Sequence, residues 1–220
     1  MLLKEITLKT KSASALYHFY KDVLELKVNQ VYADKIFIEA GGTSLIFEST
    51  NEDINPLYHF AFNIPSNKIE DALQWLQNRV ELIKIEAYKN YIAEFKNWNA
   101  RSVYFTDAAG NILEFIARFD LDDNPSESFS STQIRNVSEL GIVLPVEEFD
   151  TKVKALLQKF QLKYFDKQPP LKFFRAIGDD SGLLIIVPEH RNWYPTNIVS
   201  GIFPFELKFE DDGKEYELNY

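Results

Sequence analysis

A carboxylate interrupts an apolar strand pattern near the middle of the sequence. Residues 112–117 are ILEFIA, and the two-residue period of a strand puts Glu114 on the same face as Ile112 and Ile116. A carboxylate in such a setting costs free energy unless it is solvated, paired with a cation or bound to a metal ion. The pattern therefore leaves three roles for Glu114, namely a solvent-facing residue, one half of an ion pair, or a ligand.

A second group that can bind a metal lies on the predicted strand 58–64. His59 shares its face with Ala61 and Asn63, whereas the residues between them are aromatic, so His59 is on the less apolar side. A lone strand histidine is usually only hydrogen-bonded. A histidine that converges with carboxylates instead suits Fe(II), Mn(II), Zn(II) or Ni(II), without distinguishing among them.

Repeated units must position these groups. In three places a strand residue is followed, ten residues later, by the start of an amphipathic helix. The pairs are Glu5 and Ala15, His59 and Ile69, and Glu139 and Phe149. Each pair opens a β-α-β-β-β unit, and residues 102–117 form the hairpin that closes the second unit around a turn at 107–111.

The units predict a division of the chain. Residues 1–120 hold two complete units, and the polar stretch 121–134, which contains Pro, Ser and Asp, predicts a linker. Residues 135–220 hold a third unit, followed by enough chain for a hairpin but not for a helix. We therefore expect one complete domain and an incomplete second one.

The segment TDAAGNILEF resembles the last hairpin of the vicinal oxygen chelate superfamily, which includes glyoxalase I, extradiol dioxygenases, and fosfomycin and bleomycin resistance proteins. That hairpin typically has the sequence DPDGN, any residue, hydrophobic, Glu, hydrophobic. Asp107, Gly110, Asn111 and Glu114 match it, with two alanines in place of Pro-Asp. The resemblance implies an α+β fold, in which paired βαβββ modules with mixed, curved sheets form a cup.

The resemblance also implies a ligand set. The superfamily takes ligands from the first strand of each unit and from the last strands, and the matching positions are Glu5, His59 and Glu114. This set is similar to the His, His, Glu of the extradiol dioxygenases, with Glu5 replacing the first histidine. In the first unit's last strand the match is Ile46 or, one step along, Glu48, which would give a four-ligand set similar to that of the glyoxalases.

The third unit is expected to be structural. Glu139 occupies its first-strand position, but Ile185 or Ile186 occupies the last strand and no complete fourth unit follows. We therefore expect no metal there.

The remaining site predictions concern catalysis and substrate. Glu5 or Glu48 is expected to leave the metal and act as general base. Residues expected to line the mouth of the cup are Trp98, Asn99, Arg101 and Tyr104, joined by Tyr58 if the cup only binds a ligand.

Composition excludes several classes of function. The net charge of −9 disfavours nucleic acid and anionic membranes as partners, and the absence of cysteine excludes disulfides and thiolate nucleophiles. The N-terminal segment MLLKEITLKT has no long apolar core typical of a signal peptide, and no run reaches the length of a membrane span. The expected location is the cytoplasm, and the resemblance allows a homodimer.

The resulting functional hypothesis is a metal-dependent enzyme. It would act on a small oxygenated substrate chelated through vicinal oxygens, as a ring-cleaving dioxygenase or as a lyase or isomerase. The alternative is a metal-free binding protein of the bleomycin-resistance type, in which Glu114 would be paired with Arg101 or a lysine.

Overall fold

The computed structural model describes residues 1–32, 34–53, 55–86 and 89–220. In chain order the strands are β1 (Leu2–Thr10), β2 (Lys27–Tyr32), β3 (Lys35–Ala40), β4 (Thr43–Ser49), β5 (His59–Ile64), β6 (Leu82–Ile83), β7 (Ile92–Phe95), β8 (Ala100–Thr106), β9 (Ile112–Arg118), β10 (Asn136–Leu144), β11 (Arg175–Asp179), β12 (Gly182–Pro188), β13 (Phe205–Asp211) and β14 (Lys214–Asn219). The helices are α1 (Ala13–His18), which continues as a π-helical turn over Phe19–Val23, α2 (Ile69–Gln77) and α3 (Phe149–Phe160). The predicted α+β class is confirmed.

The strands form two mixed sheets. The first has the order β14-β13-β1-β4-β3-β2, and the second has the order β11-β12-β10-β5-β9-β8-β6, with β7 added on β8. The second and third units therefore share one sheet, because β10 pairs antiparallel with β5. The first unit instead shares its sheet with the C-terminal hairpin, because β13 pairs antiparallel with β1.

This pairing changes which units form a cup. The sequence-based division after residue 120 placed the first two units in one domain, but the boundary between the two sheets does not follow it. Each unit buries the open edge of its first strand against a strand distant in sequence, so the partner is set by packing rather than by chain order. The paired modules that lie next to His59 and Glu114 are the second and third.

The two faces of the second sheet have different surroundings. Phe60, Phe62 and Phe115 point to one side and join the main core, where Phe47 of the first sheet lies 6.4 Å from Phe60 between ring centroids. Ala61 belongs to a separate cluster on the opposite side, together with other strand and loop residues. Strand alternation thus assigns one face to the core and the other to the cup.

Hydrogen bonds within the turn of the β8–β9 hairpin fix β9 against β5. Asp107 Oδ1 accepts hydrogen bonds from the backbone N–H groups of Ala109 (2.9 Å) and Asn111 (3.0 Å), and Tyr20 donates its hydroxyl to Asp107 Oδ2 (3.0 Å). Asn111 Oδ1 in turn accepts from the backbone N–H of Tyr58 at 2.9 Å. The turn therefore sets the register that brings the residue after Tyr58 beside the start of β9.

The described part of the chain contains no helix long and apolar enough to cross a membrane.

Candidate metal centre and cavity

Three strands of the second sheet bring a histidine and two carboxylates together. In the parallel pair β5–β9 Ala61 is opposite Glu114, and in the antiparallel pair β10–β5 Ala61 is opposite Glu139. His59 lies two residues from Ala61 on the same face. The ligand atoms of His59, Glu114 and Glu139 all lie within 4.8 Å of one another, and His59 Nε2 is 3.7 Å from Glu114 Oε2.

The histidine is held in one tautomer. His59 Nδ1 is 3.1 Å from the carbonyl oxygen of Ile112, and since a carbonyl only accepts, Nδ1 carries the proton. The lone pair is then on Nε2, which faces Glu114. Burial lowers the pKa of His59 to about 4, and the positive charge of Arg191 acts in the same direction. The imidazole is therefore neutral at pH 7, as a metal ligand must be.

Glu139 is paired with a buried arginine. Arg118 follows Glu114 by four residues, so it points from β9 to the same face, and its guanidinium Nη2 donates to Glu139 Oε1. Its Nε donates to Asn63 Oδ1 at 3.2 Å, and its side chain is fully buried. Burial raises the pKa of Glu139, whereas the charge of Arg118 and its hydrogen bond oppose that rise.

Among the described residues, no arginine or lysine is bound directly to Glu114. Burial and the nearby charge of Glu139 raise the pKa of Glu114 to about 8, against smaller opposing effects of Ser102, Tyr104 and Arg118. Among the described residues Arg118 is the arginine that pairs with this group, and Arg191, which lines the same cavity, pairs with neither glutamate. The two carboxylates can therefore take up a proton or a metal cation.

The strand register also shows which positions are equivalent in the repeated units. Glu5 is opposite Ser44 in β1–β4 and His59 is opposite Ile112 in β5–β9, so the position two residues after each partner is Ile46 or Glu114. This assigns Ile46, rather than Glu48, to the position of Glu114. In the third unit Glu139 is opposite Leu183, so Ile185 occupies the corresponding position.

Glu5 and Glu48 do not lie at this site. Both are on the first sheet, where Glu5 accepts from Lys208 Nζ at 2.8 Å and Glu48 accepts from Lys9 Nζ at 2.8 Å. The structure therefore places Glu5 away from His59 and Glu114. Neither Glu5 nor Glu48 lies where a general base for this site would have to be. The third unit was expected to hold no metal, and the structure places its Glu139 beside His59 and Glu114, where Glu5 was expected.

A cavity of about 270 Å³ opens over the three residues. Six residues with aromatic rings line it, namely Phe95, Trp98, Tyr104, Phe174, Trp193 and Tyr194. Trp98 and Tyr104 were predicted to line it, and they do. Burial raises the pKa of Tyr104 well above its usual range, so its hydroxyl keeps its proton beside Glu114.

The other three predicted substrate residues lie outside the cavity. Tyr58 donates its hydroxyl to the carbonyl oxygen of Pro204 at 2.7 Å, and Asn99 donates to Asp120 Oδ1 at 2.7 Å. Arg101 pairs with Glu70 of α2 rather than with Glu114. Arg101 and Asn99 precede the hairpin in sequence, but β8 carries them away from the face on which Tyr104 lies.

Several site residues were not recognised from the sequence. Arg118 could have been found by extending the two-residue period of β9 from Glu114, since both then share the cup face. Trp193 lies in the loop after β12, and no local pattern predicts its position. Its indole reaches the site because Gly141 has no side chain: a Cβ on Gly141 would lie 2.6 Å from the ring of Trp193.

The donor set fits a divalent cation. Ligand atoms about 2.0–2.2 Å from one ion are separated from each other by roughly 3–4 Å, close to the 3.7 Å between His59 Nε2 and Glu114 Oε2. One histidine and two carboxylates offer nitrogen and oxygen ligand atoms and up to two negative charges, a donor set that suits a first-row divalent metal ion. Arg118 binds one oxygen of Glu139 and leaves the other free, as partners of metal-ligating carboxylates commonly do.

Comparison with known proteins identifies the fold. No protein-family model and no curated protein matches the sequence. A putative dioxygenase from Bacillus subtilis subsp. subtilis str. 168 superposes with a TM-score of 0.60 at 15% identity, covering 85% of this chain and 63% of its own, so this chain spans less than two thirds of that protein.

Shorter structures match about half of the chain. A lactoylglutathione lyase from Agrobacterium tumefaciens has a TM-score of 0.42 at 19% identity over 51% of this chain and 90% of its own. A glyoxalase/bleomycin resistance protein/dioxygenase from Nocardioides has a TM-score of 0.44 at 19% identity over 58% and 90%. The superposition on the Bacillus structure confirms the expected glyoxalase/dioxygenase-like fold.

Proposed function

We propose that this protein is a divalent-metal-dependent enzyme that acts on a small oxygenated substrate chelated through vicinal oxygens, and that His59, Glu114 and Glu139 hold the metal. The observation that carries the proposal is their convergence within 4.8 Å at the base of a shaped cavity. Each comes from a different strand, and each is buried. Buried ionisable groups of this kind gather at functional sites because they are costly anywhere else.

The chemistry would be that of a three-ligand site. A bound Fe(II), Mn(II), Zn(II) or Ni(II) ion would supply Lewis-acid chemistry to a pair of neighbouring substrate oxygens. Ile185 occupies the fourth equivalent position and offers no ligand atom, so this corner is left to the substrate. The arrangement favours the three-ligand pattern of the dioxygenase type over the four-ligand pattern of the glyoxalases.

The surrounding residues have separate roles in this proposal. The carbonyl of Ile112 keeps the lone pair of His59 on Nε2, and the charge of Arg118 favours the ionised form of Glu139. Tyr104 holds a proton at its hydroxyl next to Glu114, which makes it the candidate proton donor in place of the excluded Glu5 and Glu48. The aromatic wall keeps water from the reacting atoms, which strengthens every charge interaction inside the cavity.

Metal titration of the purified metal-free protein tests the proposal. Calorimetry with Mn(II), Fe(II), Zn(II) and Ni(II) is expected to give one site per chain in the wild type. His59→Gln and Glu139→Gln should each weaken binding by at least about tenfold, since each removes one of three ligands. Circular dichroism on the same samples shows whether each variant is folded.

A matched control is available in the other sheet. Glu5 occupies the equivalent register position but is partly exposed and paired with Lys208, so Glu5→Gln should bind metal as the wild type does. Absence of binding by the wild type, or equal binding by a folded His59→Gln variant, would replace the enzyme hypothesis with that of a metal-free binding protein. Equal losses in Glu5→Gln and Glu139→Gln would place the metal elsewhere.

A further inference from the structure

The cavity contains a cation without a partner. Arg191 lines it, and among the described residues its guanidinium has no ion pair or side-chain hydrogen bond, only the ring of Phe174 at 5.5 Å from the guanidinium carbon to the centroid. Arg191 is half-buried, and burial alone lowers its pKa. With a net charge of −9 the protein has more carboxylates than basic side chains, so the chain itself is not short of partners for an arginine. An arginine that is partly desolvated and left unpaired in a cavity is poised for an anion from outside.

A tryptophan on the same loop lines the cavity beside Arg191. Trp193 follows Arg191 by two residues on the loop after β12, and both line the cavity. The ring centroids of Trp193 and His59 are 5.2 Å apart. Trp193 is 3% exposed and its Nε1 atom is enclosed, so the indole offers its ring to a ligand rather than its N–H.

The loop that carries Arg191 and Trp193 is fixed by hydrogen bonds. The backbone N–H of Trp193 donates to the carbonyl of Ile198 at 2.9 Å, and Ser200 Oγ donates to the carbonyl of Pro188 at 2.9 Å. The backbone N–H of Arg191 donates to Ser200 Oγ at 3.1 Å. Arg191 and Trp193 are therefore held at a fixed position beside the cavity, as residues of a binding site must be.

The rest of the wall indicates the body of the ligand. Rings from Phe95, Trp98, Phe174 and Tyr194 give the cavity flat apolar sides. A cavity of about 150 Å³ is enough for benzene, so the volume of about 270 Å³ admits one substituted ring. Aromatic walls favour a planar guest through offset stacking and edge-to-face contacts.

We propose that the cavity selects a one-ring aromatic carboxylate, with its carboxylate bound by Arg191 and its ring between the aromatic walls. The opposite end of the ring then faces His59, Glu114 and Glu139, and only this orientation rests on the proposed function. Carboxylate is favoured over phosphate because one guanidinium matches its single charge and, through two N–H groups, its two oxygens. Arg191 is a specificity residue in this proposal and takes no part in bond making.

A pair of probes that differ only in charge tests the proposal without metal. Binding of 3,4-dihydroxybenzoate and of 3,4-dihydroxybenzamide to the metal-free protein is measured by quenching of tryptophan fluorescence, since two of the three tryptophans line the cavity. The acid is expected to bind roughly 10- to 100-fold more tightly than the amide, the range of one or two charge-assisted hydrogen bonds. Arg191→Gln should reduce this ratio to about 1, and Arg191→Lys should restore part of it.

Arg135→Gln is the matched control. Arg135 is exposed and paired with Asp123, so its loss should leave the ratio unchanged. Equal binding of acid and amide by the wild type, a preserved ratio in Arg191→Gln, or no binding of either probe would overturn the proposal. Metal titration of the same preparations reports separately on His59, Glu114 and Glu139, so a failed charge preference with intact metal binding leaves the proposed function in place.

Discussion

Arg118→Met isolates the charge that holds the site together. The substitution keeps a long unbranched side chain in a place where Arg118 is fully buried, and it removes the cation that binds Glu139. It also removes the donor to Asn63 Oδ1 at 3.2 Å. Asp180, which lies 3.5 Å from the guanidinium, keeps Lys167 at 2.6 Å. The loss therefore falls mainly on Glu139, which becomes a buried carboxylate without a counter-ion.

The expected cost follows from that burial. Removing one partner of a buried ion pair destabilises a protein by about 3–5 kcal/mol, and Glu139 is only 3% exposed, so water does not screen the remaining charge. With a urea slope of about 3 kcal/mol/M, the unfolding midpoint should fall by about 1–2 M. Affinity for Mn(II) or Zn(II) should also fall by about 10- to 100-fold, as when other partners of metal-ligating groups are removed.

A double variant separates charge from packing. Arg118→Met combined with Glu139→Leu removes both charges, and apolar replacements of a buried pair are often neutral or stabilising. The double variant should therefore recover most of the stability that Arg118→Met loses, while binding no metal. A loss below about 1 kcal/mol in Arg118→Met, or a double variant no more stable than the single one, would refute this account of the site.

Three further variants test the elements around the site. Asp107→Ala should lower the free energy of unfolding by about 2–3 kcal/mol, because it leaves buried donors of the hairpin turn unpaired; denaturant unfolding measures this. Gly41→Ala should cost at least about 3 kcal/mol, since Gly41 has φ +58° and its Cβ would lie 2.1 Å from the carbonyl oxygen of Arg135. Gly213→Ala, at φ +72° with nothing within 4 Å, should cost only about 1–2 kcal/mol in the same assay. The hydrogen bond from Lys9 lowers the pKa of Glu48 in the folded protein below its value in the unfolded chain. The pair therefore stabilises the fold at pH values above the unfolded pKa, and this stability is lost as the pH falls through the folded pKa. Glu48→Gln should therefore cost less than about 1 kcal/mol at pH 7, should cost progressively less as the solution is acidified, and should not change metal affinity.

Local patterns were sufficient for the elements and for two of the three residues proposed to bind metal. The strand alternation and the helix spacing depend only on neighbouring residues, which is why the β-α-β-β-β units and the class of fold were predictable. The DAAGN turn marked the hairpin, and the glutamate within its second strand identified Glu114. His59 followed from the same two-residue period.

The choice between Glu5 and Glu139 as the third residue of the group depended on which units share a sheet. Glu5 and Glu139 occupy the same position in their units, and each is a glutamate at the start of a first strand, so the sequence offers no means of choosing between them. The choice is made by the antiparallel pairing of β10 with β5, which buries the edge of β5 against a strand more than 70 residues away. Glu139 then lies across Ala61 from Glu114, while Glu5 pairs with Lys208 in the other sheet.

The cavity was likewise decided by tertiary structure. The sequence determined that strands of the second unit would carry a histidine and a glutamate on one face, because side-chain direction along a strand is a local property. It did not determine that Arg191 and Trp193 would cover that face, since they come from a loop whose path depends on bonds to Ser200 and on the space beside Gly141. Long-range contacts of this kind pair residues without any periodic pattern in the chain, so they appear only once the sheets have packed.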